Sequence, residues 1–412
     1  MRIGIDCLRA DPGYTGGLNT YILGLLSGFA AVGDRHAFQL YLTDANRRLF
    51  AAFEDRENFE FVEMKANSFR LRQALCRAAL LSFDENLYRL WSGQLFAAVR
   101  DRMEADSDLI YTPTVSLLCF NHRKPTLLSM HDMQYLHYPQ FFSWLQRRSR
   151  AFTCALSARS ASHFQASSRF IERDMLSCFP GIARHQISVI PEGVNRNEFA
   201  SAQPDAAVSA YCPEGRFLLL PAQLWPHKNH ITVLRALFDI EHGHGIKIPL
   251  LMTGAKYSAA SGIFRFLSEH PMPHVRYLGI VPFQSLVALY QRAALVISPG
   301  LYESNCLPVL EAAAAGTAVI ASRIPPNEEL AQTLRLNLFD PLNQRDLAER
   351  LLWLWRNPDA CREQASFNRE AVARFSWENS ARQYLRVMEQ MLAPALRLQS
   401  NPDRACHATP SC

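Results

Sequence analysis

Two glutamates eight residues apart, Glu303 and Glu311, stand in the stretch Ser298-Pro299-Gly300-Leu301-Tyr302-Glu303-Ser304-Asn305-Cys306-Leu307-Pro308-Val309-Leu310-Glu311-Ala312. An apolar run ends at Ser298, a loop carries Glu303, and a helical pattern opens at Pro308, where a missing N–H costs nothing. Glu311 is expected in the first turn of that helix. The unpaired N–H groups at a helix start favour an anion, most naturally a diphosphate, and a carboxylate beside them accepts hydrogen bonds from sugar hydroxyls. Taken singly, Glu311 would only complement a helix dipole and Glu303 would be a solvated loop acid. Both on one strand–loop–helix junction favour a site, because ligands of open α/β sheets bind outside the carboxyl ends of the strands.

Leu220-Pro221-Ala222-Gln223-Leu224-Trp225-Pro226-His227-Lys228-Asn229-His230 has the same layout, with Lys228 at a helix start. Cations prefer the other end of a helix, so a lysine here suggests a bound anion, and its ammonium would neutralise phosphate as a point charge. A solvent-facing lysine is the plainer alternative. His227 and His230 lack an acidic third ligand nearby and are expected to pack or cap. In the loop Asp11–Asn19, Gly16-Gly17 before a helix permits close backbone approach to phosphate or sugar. Most such pairs are only turns, and GxGxxG and Walker spacings are absent, which argues against dinucleotides and ATP hydrolysis. Ser129-Met130-His131-Asp132 sets a His-Asp pair at a further strand end, where it would face an interdomain cleft. Asp106-Ser107-Asp108 has DxD spacing but directly precedes Leu109-Ile110-Tyr111, so it reads as a helix-to-strand turn. No GxSxG elbow, HExxH or Cys/His ligand set occurs.

The elements that must position these residues alternate in βαβα order, the pattern of parallel sheets covered on both faces. Strands are expected at Ile3–Ile5, Gln39–Thr43, Phe59–Glu63, Leu109–Thr112 and Thr126–Ser129. A second set follows at Phe217–Pro221, Pro249–Thr253, Val275–Leu278, Leu295–Ser298 and Ala318–Ala321. Helical periodicity covers Leu18–Val32, Phe141–Ser160, His230–Glu241, Ile263–His270, Gln284–Arg292 and Pro308–Ala315. The segment Ala200–Gly215 lacks periodicity and reads as a linker. The expected organisation is therefore an α/β domain over 1–195, a second over 196–375, an amphipathic helix over 376–397 and a disordered tail over 398–412.

The 412 residues are 49% hydrophobic and 20% charged, which excludes a disordered or collagenous chain. A net charge of +5 is too small for dedicated nucleic-acid binding. The ten cysteines have no CxxC or zinc-ribbon spacing and are expected to be reduced thiols of a cytosolic protein. No apolar run reaches the roughly 18 residues that cross a bilayer, so membrane contact is expected to be peripheral. Two stretches suit such contact at the inner face of the membrane. Lys65, Arg70, Arg72 and Arg77 alternate with Phe69, Leu71, Leu75 and Leu80, and Arg147, Arg148 and Arg150 form a second cluster. A solvated helix face explains them equally well.

On these motifs the sequence resembles the GT4 family of retaining GT-B glycosyltransferases. Glu303 to Glu311 resembles its E-x7-E motif. Ala312–Gly316, Ala318–Ser322, Val275–Gly279 and Ile187–Val194 resemble its other landmarks, and His131-Asp132 resembles the HD segment of mannosyl- and rhamnosyl-type members. The resemblance implies the GT-B fold, two Rossmann-like domains facing each other across a cleft with the final helix crossing back to the first. It implies that Glu311 binds the nucleotide ribose, Glu303 the donor sugar and Lys228 the diphosphate. Gly16 and Gly17 would approach the diphosphate, and backbone N–H groups around Asn305, Cys306 and Leu307 would hold sugar or phosphate. His131, with Asp132 beside it, would line the reaction centre. Two departures stand out: Gln223 occupies roughly the place of a common arginine, and Asn305-Cys306 stands where many members have Phe-Gly.

The activity implied is transfer of a hexosyl group, with GDP-mannose or similar as donor, to a polysaccharide, lipopolysaccharide or lipid-linked acceptor, with retention at the anomeric carbon. A nucleotide sugar would be the co-substrate, with no further cofactor. Lys228 and the helix N-terminus would offset the leaving group's charge without a metal. The same frame also suits an epimerase, a phosphorylase or a nucleotide-sugar-binding protein without turnover.

Overall fold

A computed structural model describes residues 1–11, 16–79, 84–201, 211 and 215–399. The loop Pro12–Thr15, most of the expected linker, Leu80 and the tail from residue 400 lie outside the described residues, as does the Arg77 side chain.

Two all-parallel sheets account for the alternating pattern. The first contains β1 (Arg2–Asp6), β2 (Ala37–Thr43), β3 (Phe59–Met64), β4 (Leu109–Thr112), β5 (Thr126–Ser129), β6 (His163–Ala166) and β7 (Ile187–Val189). The second contains β8 (Leu218–Pro221), β9 (Leu250–Thr253), β10 (Val275–Gly279), β11 (Leu295–Ser298), β12 (Val319–Ser322) and β13 (Asn337–Phe339). Their orders are β3-β2-β1-β4-β5-β6-β7 and β10-β9-β8-β11-β12-β13. Helices cover both faces of each sheet, so strands such as β4, β11 and β12 are buried along their whole length, and period-two alternation disappears. Each fully buried Leu, Ile or Phe in these layers contributes roughly 1.5–3 kcal/mol.

Three strands, β6, β7 and β13, are absent from the elements expected from the sequence. They are short and mix polar with apolar residues, and their pairing comes from neighbouring strands rather than from local pattern. The helix carrying Glu311 also starts earlier than expected. It spans Leu307–Ala315 with Cys306 as N-cap, so Pro308 is its second residue and Glu311 lies beyond the first turn.

The last helix, Trp377–Gln399, leaves the second domain and packs on helix Gly17–Val32 of the first. The buried hydroxyls of Tyr21, Tyr111 and Ser129 bond to one another and to Tyr384 of the returning helix. Small residues make this approach feasible, because a Cβ on Gly24 would collide with the Trp377 ring and one on Gly28 with its carbonyl oxygen. Gly→Ala in a helix interior ordinarily stabilises by about 0.5–1 kcal/mol. At Gly28 the sign is expected to reverse. A Gly28→Ala variant should lose about 1–3 kcal/mol through overpacking, seen as a lower Tm, and an unchanged or higher Tm would contradict this seam.

Candidate active site

Strand order reverses between β1 and β4 in the first sheet and between β8 and β11 in the second. At such switch points the loops leaving adjacent strands diverge and open a crevice. The loop after β8 carries Gln223 and Lys228, and the loop after β11 carries Glu303, Asn305 and Cys306. They meet directly: the Leu301 N–H donates to the His227 carbonyl at 2.7 Å.

Lys228 Nζ donates to both oxygens of Glu303, at 2.7 and 2.8 Å. The lysine belongs to a short turn, Pro226–Lys228, with the left-handed Asn229 between it and helix His230–His244. Its compensating anion in this structure is thus a side chain that the sequence places 75 residues away. Glu303 is only 12% exposed, so the pair is largely shielded from water. Glu311 is held differently. One carboxylate oxygen accepts from Tyr290 Oη at 2.5 Å, and burial pushes its pKa up.

Two buried side-chain amides in these loops lack a well-formed acceptor contact. Gln223 Oε1 accepts from the Trp225 indole at 3.0 Å, which leaves its buried Nε2 without a partner. Asn305 Nδ2, also buried, lies beside the Glu192 carboxyl without good hydrogen-bond geometry. An unmet buried donor costs about 1–3 kcal/mol. Two such amides in the loops that hold Lys228 and Glu303 suit oxygen atoms supplied by a ligand.

Glu192 is a member of this site that motif reading passed over. It follows β7, is 5% exposed, and is pushed up to about 8. Burial is the main cause. The nearby Glu303 charge adds to it, while the Asn305 amide and Lys228 oppose it. The signal in the sequence was a lone acid inside Pro191-Glu192-Gly193-Val194, a segment otherwise free of charge.

The remaining expected residues divide. Gly16 caps helix Gly17–Val32, and Gly17 faces Leu307 across the domain boundary. Leu307 packs against the first domain's core. Cys306 is 1% exposed and belongs to the second domain's core, with its thiol raised well above the ordinary range by burial. Its side chain is therefore structural, and only its backbone is placed to serve a ligand. His131 Nε2 bonds the Pro113 carbonyl at 3.0 Å and its ring stands edge-on to Tyr21 at 4.6 Å. Burial lowers its pKa and favours the neutral ring. Asp132 Oδ1 accepts from the Gln134 N–H at 3.1 Å. These contacts fix the His131-Asp132 segment within the first domain, and it reaches the Glu303 loop through the next residue, Met133, whose N–H donates to Tyr302 Oη at 3.1 Å.

His230 Nε2 meets the Ala222 carbonyl at 3.2 Å, the packing role expected for it. Asp106 ends a helix and Asp108 precedes β4, accepting from the Arg2 N–H at 2.7 Å, so the DxD is a turn. The fold does assemble one set of ligand-type side chains that the sequence keeps apart: His137, Asp174 and Cys178. They bond to one another, with Asp174 Oδ1 at 2.7 Å from His137 Nε2 and 3.5 Å from Cys178 Sγ. The seven described cysteines are free thiols.

Two Rossmann-like domains, a crevice at their facing strand ends and a final helix that returns to the first domain together define the GT-B class. The solved structure of Anabaena Alr3699/HepE in complex with UDP and glucose has this fold, with a TM-score of 0.70 over 95% of this chain and 100% of that one at 18% identity. The profile of Glycosyltransferase Family 4 matches residues 15–198, and that of Glycosyl transferases group 1 matches residues 208–371. The chain belongs to this family of glycosyltransferases. Among characterised relatives, the O-antigen chain mannosyltransferase RfbU of Salmonella typhimurium is 25% identical over 64% of this chain and 70% of its own length. A phosphatidyl-myo-inositol mannosyltransferase of Mycobacterium tuberculosis is 27% identical, and the match spans 51% of this chain and 56% of that protein.

Proposed function

We propose that this glycosyltransferase moves a mannosyl or similar hexosyl group from GDP-mannose, or a related nucleoside-diphosphate sugar, to a polysaccharide, lipopolysaccharide or lipid-linked acceptor. The observation that carries this is the shielded Lys228–Glu303 pair flanked by the unmet Gln223 donor and the Asn305 amide beside Glu192. The relatives named for mannosyl transfer support the choice of sugar.

In this reading the diphosphate enters beside Lys228 and the N-terminus of helix Leu307–Ala315. A phosphate oxygen would join Glu303 at the Lys228 ammonium, a group with three donors. Glu303 then faces the sugar hydroxyls and Glu311 the ribose. The anomeric C–O bond breaks with its electron pair passing to the β-phosphate oxygen, where Lys228 and the helix end stabilise the added charge. The acceptor oxygen attacks the face that the diphosphate leaves, and its proton passes to a phosphate oxygen. In this reading the configuration is retained and the positive charge at Lys228 and the helix end serves in place of a metal, with His131 lining the reaction centre.

Membrane contact belongs to the same proposal. The first domain exposes Leu71 at 63% and Trp144 at 58%, with Leu90, Trp91 and Leu145 also exposed and Arg70 and Arg147 close to them in sequence. No helix among the described residues is long and apolar enough to cross a membrane. An interfacial contact on anionic lipid at the inner face would place the enzyme beside a lipid-linked acceptor.

Thermal unfolding against GDP-mannose, UDP-glucose and other nucleotide sugars tests the donor, because a ligand of the folded state raises its Tm. The stabilising donor should then transfer its sugar to a lipid-linked acceptor, with product NMR showing the donor's anomeric configuration, an unchanged rate in EDTA, and flotation with phosphatidylglycerol vesicles that high salt reverses. Inversion, EDTA inhibition or absence of flotation would each remove the corresponding part. Absence of stabilisation by every nucleotide sugar would remove the whole.

A further inference from the structure

Tyr302 precedes Glu303 in the second domain, yet its side chain belongs to the first. It is 6% exposed and joins the first domain's core cluster. Its ring stacks on His137 at 5.5 Å and meets Phe170 edge-on at 5.6 Å. Its hydroxyl donates to Asp174 Oδ2 at 2.8 Å and accepts from the Met133 N–H at 3.1 Å. Asp174 is fixed in turn by His137 through its other oxygen. Burial and the nearby Asp174 and Asp132 charges push the phenol's pKa well up, so it remains a donor.

The neighbours of Tyr302 are gripped as well. The Leu301 carbonyl accepts from Tyr138 Oη at 3.1 Å, and the Ser304 carbonyl accepts from Ser167 Oγ at 2.9 Å and Ser168 Oγ at 3.1 Å. Positions 301, 302 and 304 are thus tied to the first domain, while Glu303 between them reaches back to Lys228 of the second. A loop anchored only to its own domain would keep its carboxylate in place however the cleft opened. This loop is shaped by the opposite domain.

We infer that Tyr302 and Asp174 are positioning residues that set Glu303 for the donor sugar only when the two domains are closed, so that domain closure and assembly of the sugar subsite are one event. The inference rests on the reading in which Glu303 meets the donor. Its energetic logic is that small displacements of a positioned group cost large factors in rate, on the order of 10²-fold per ångström.

The test uses the full chain with GDP-mannose as probe, following release of GDP and, separately, amide hydrogen exchange of the Ser304–Leu307 segment. Tyr302→Phe keeps the ring and removes the bonds to Asp174 and Met133. It should lower kcat at least tenfold, leave the affinity for GDP within threefold, and speed exchange in the segment. Asp174→Asn should do the same, and the double variant should be no worse than the more affected single one, since both break one device. Tyr138→Phe removes only the bond to Leu301 and should give a smaller loss of the same kind, which keeps the test open if Tyr302→Phe fails to fold. Unchanged exchange with kcat within twofold of the parent would overturn the inference, as would additive losses in the double variant. Glu303→Ala is the separate control. If it turns over normally, the reading of the site fails, whereas the exchange measurement still reports on the grip itself.

Discussion

Lys228→Ala is expected to lower kcat for sugar transfer by about 10²–10³-fold, the usual cost of removing one preorganised group aimed at developing charge. Two effects combine. In the proposed reading the leaving diphosphate would lose the ammonium that receives its charge, and Glu303, only 12% exposed, loses the partner that donates to both its oxygens. Lys228→Arg should not restore the rate, because a planar guanidinium cannot reproduce a point charge shared between a carboxylate and a phosphate. Glu311→Ala should differ in kind. Its carboxylate is held by Tyr290 and is assigned in the proposed reading to the ribose rather than the reacting carbon, so KM for the donor should rise far more than kcat falls. Steady-state kinetics with the donor varied separates the two patterns, and a Lys228→Ala enzyme with kcat within threefold of the parent would refute the assigned role.

Glu192→Gln is expected to stabilise the protein increasingly as pH rises. Burial beside Glu303 raises the Glu192 carboxyl from 4.5 to about 8. The folded state therefore holds its proton more tightly than the unfolded state does. The stability this supplies is complete below about pH 4.5 and is lost as pH rises through about 8. At about 1.4 kcal/mol per pKa unit the loss approaches about 5 kcal/mol above pH 8, with Lys228 and the Asn305 amide already counted in the opposite direction. Glutamine keeps the shape and has no proton to lose. The difference in unfolding free energy between variant and parent should be near zero at pH 4–5 and climb steadily to pH 8. A flat difference would show that Glu192 ionises freely.

The parts of this molecule that were legible in the sequence are those whose signal is local. Apolar runs bounded by turn residues disclosed β8 to β12, and the E-x7-E spacing with Pro308 disclosed the loop and helix that follow β11. Lys228 was legible as a cation at a helix start, but its partner was not: Glu303 reaches it only because the strand order reverses at β8 and β11. Glu192 was hidden for a similar reason. Its role depends on β7 delivering it beside a loop more than a hundred residues later, and nothing in Pro191-Glu192-Gly193-Val194 announces that meeting. Tyr302 reads in sequence as one more apolar residue of the second domain, and Asp174 as an ordinary helix acid. Only the closure of one domain on the other makes them partners. The inward packing of the Cys306 thiol was not legible either, because the helix that buries it belongs to the second domain's core.

The crevice between β8 and β11 is expected to receive a diphosphate at Lys228. A crystal structure with the nucleoside diphosphate that stabilises the protein most measures this directly. It should show a phosphate oxygen within about 3 Å of Lys228 Nζ, another near the Leu307 end of its helix, and ribose hydroxyls on Glu311. A nucleotide bound elsewhere, with the Lys228–Glu303 pair intact and no phosphate beside it, would contradict it.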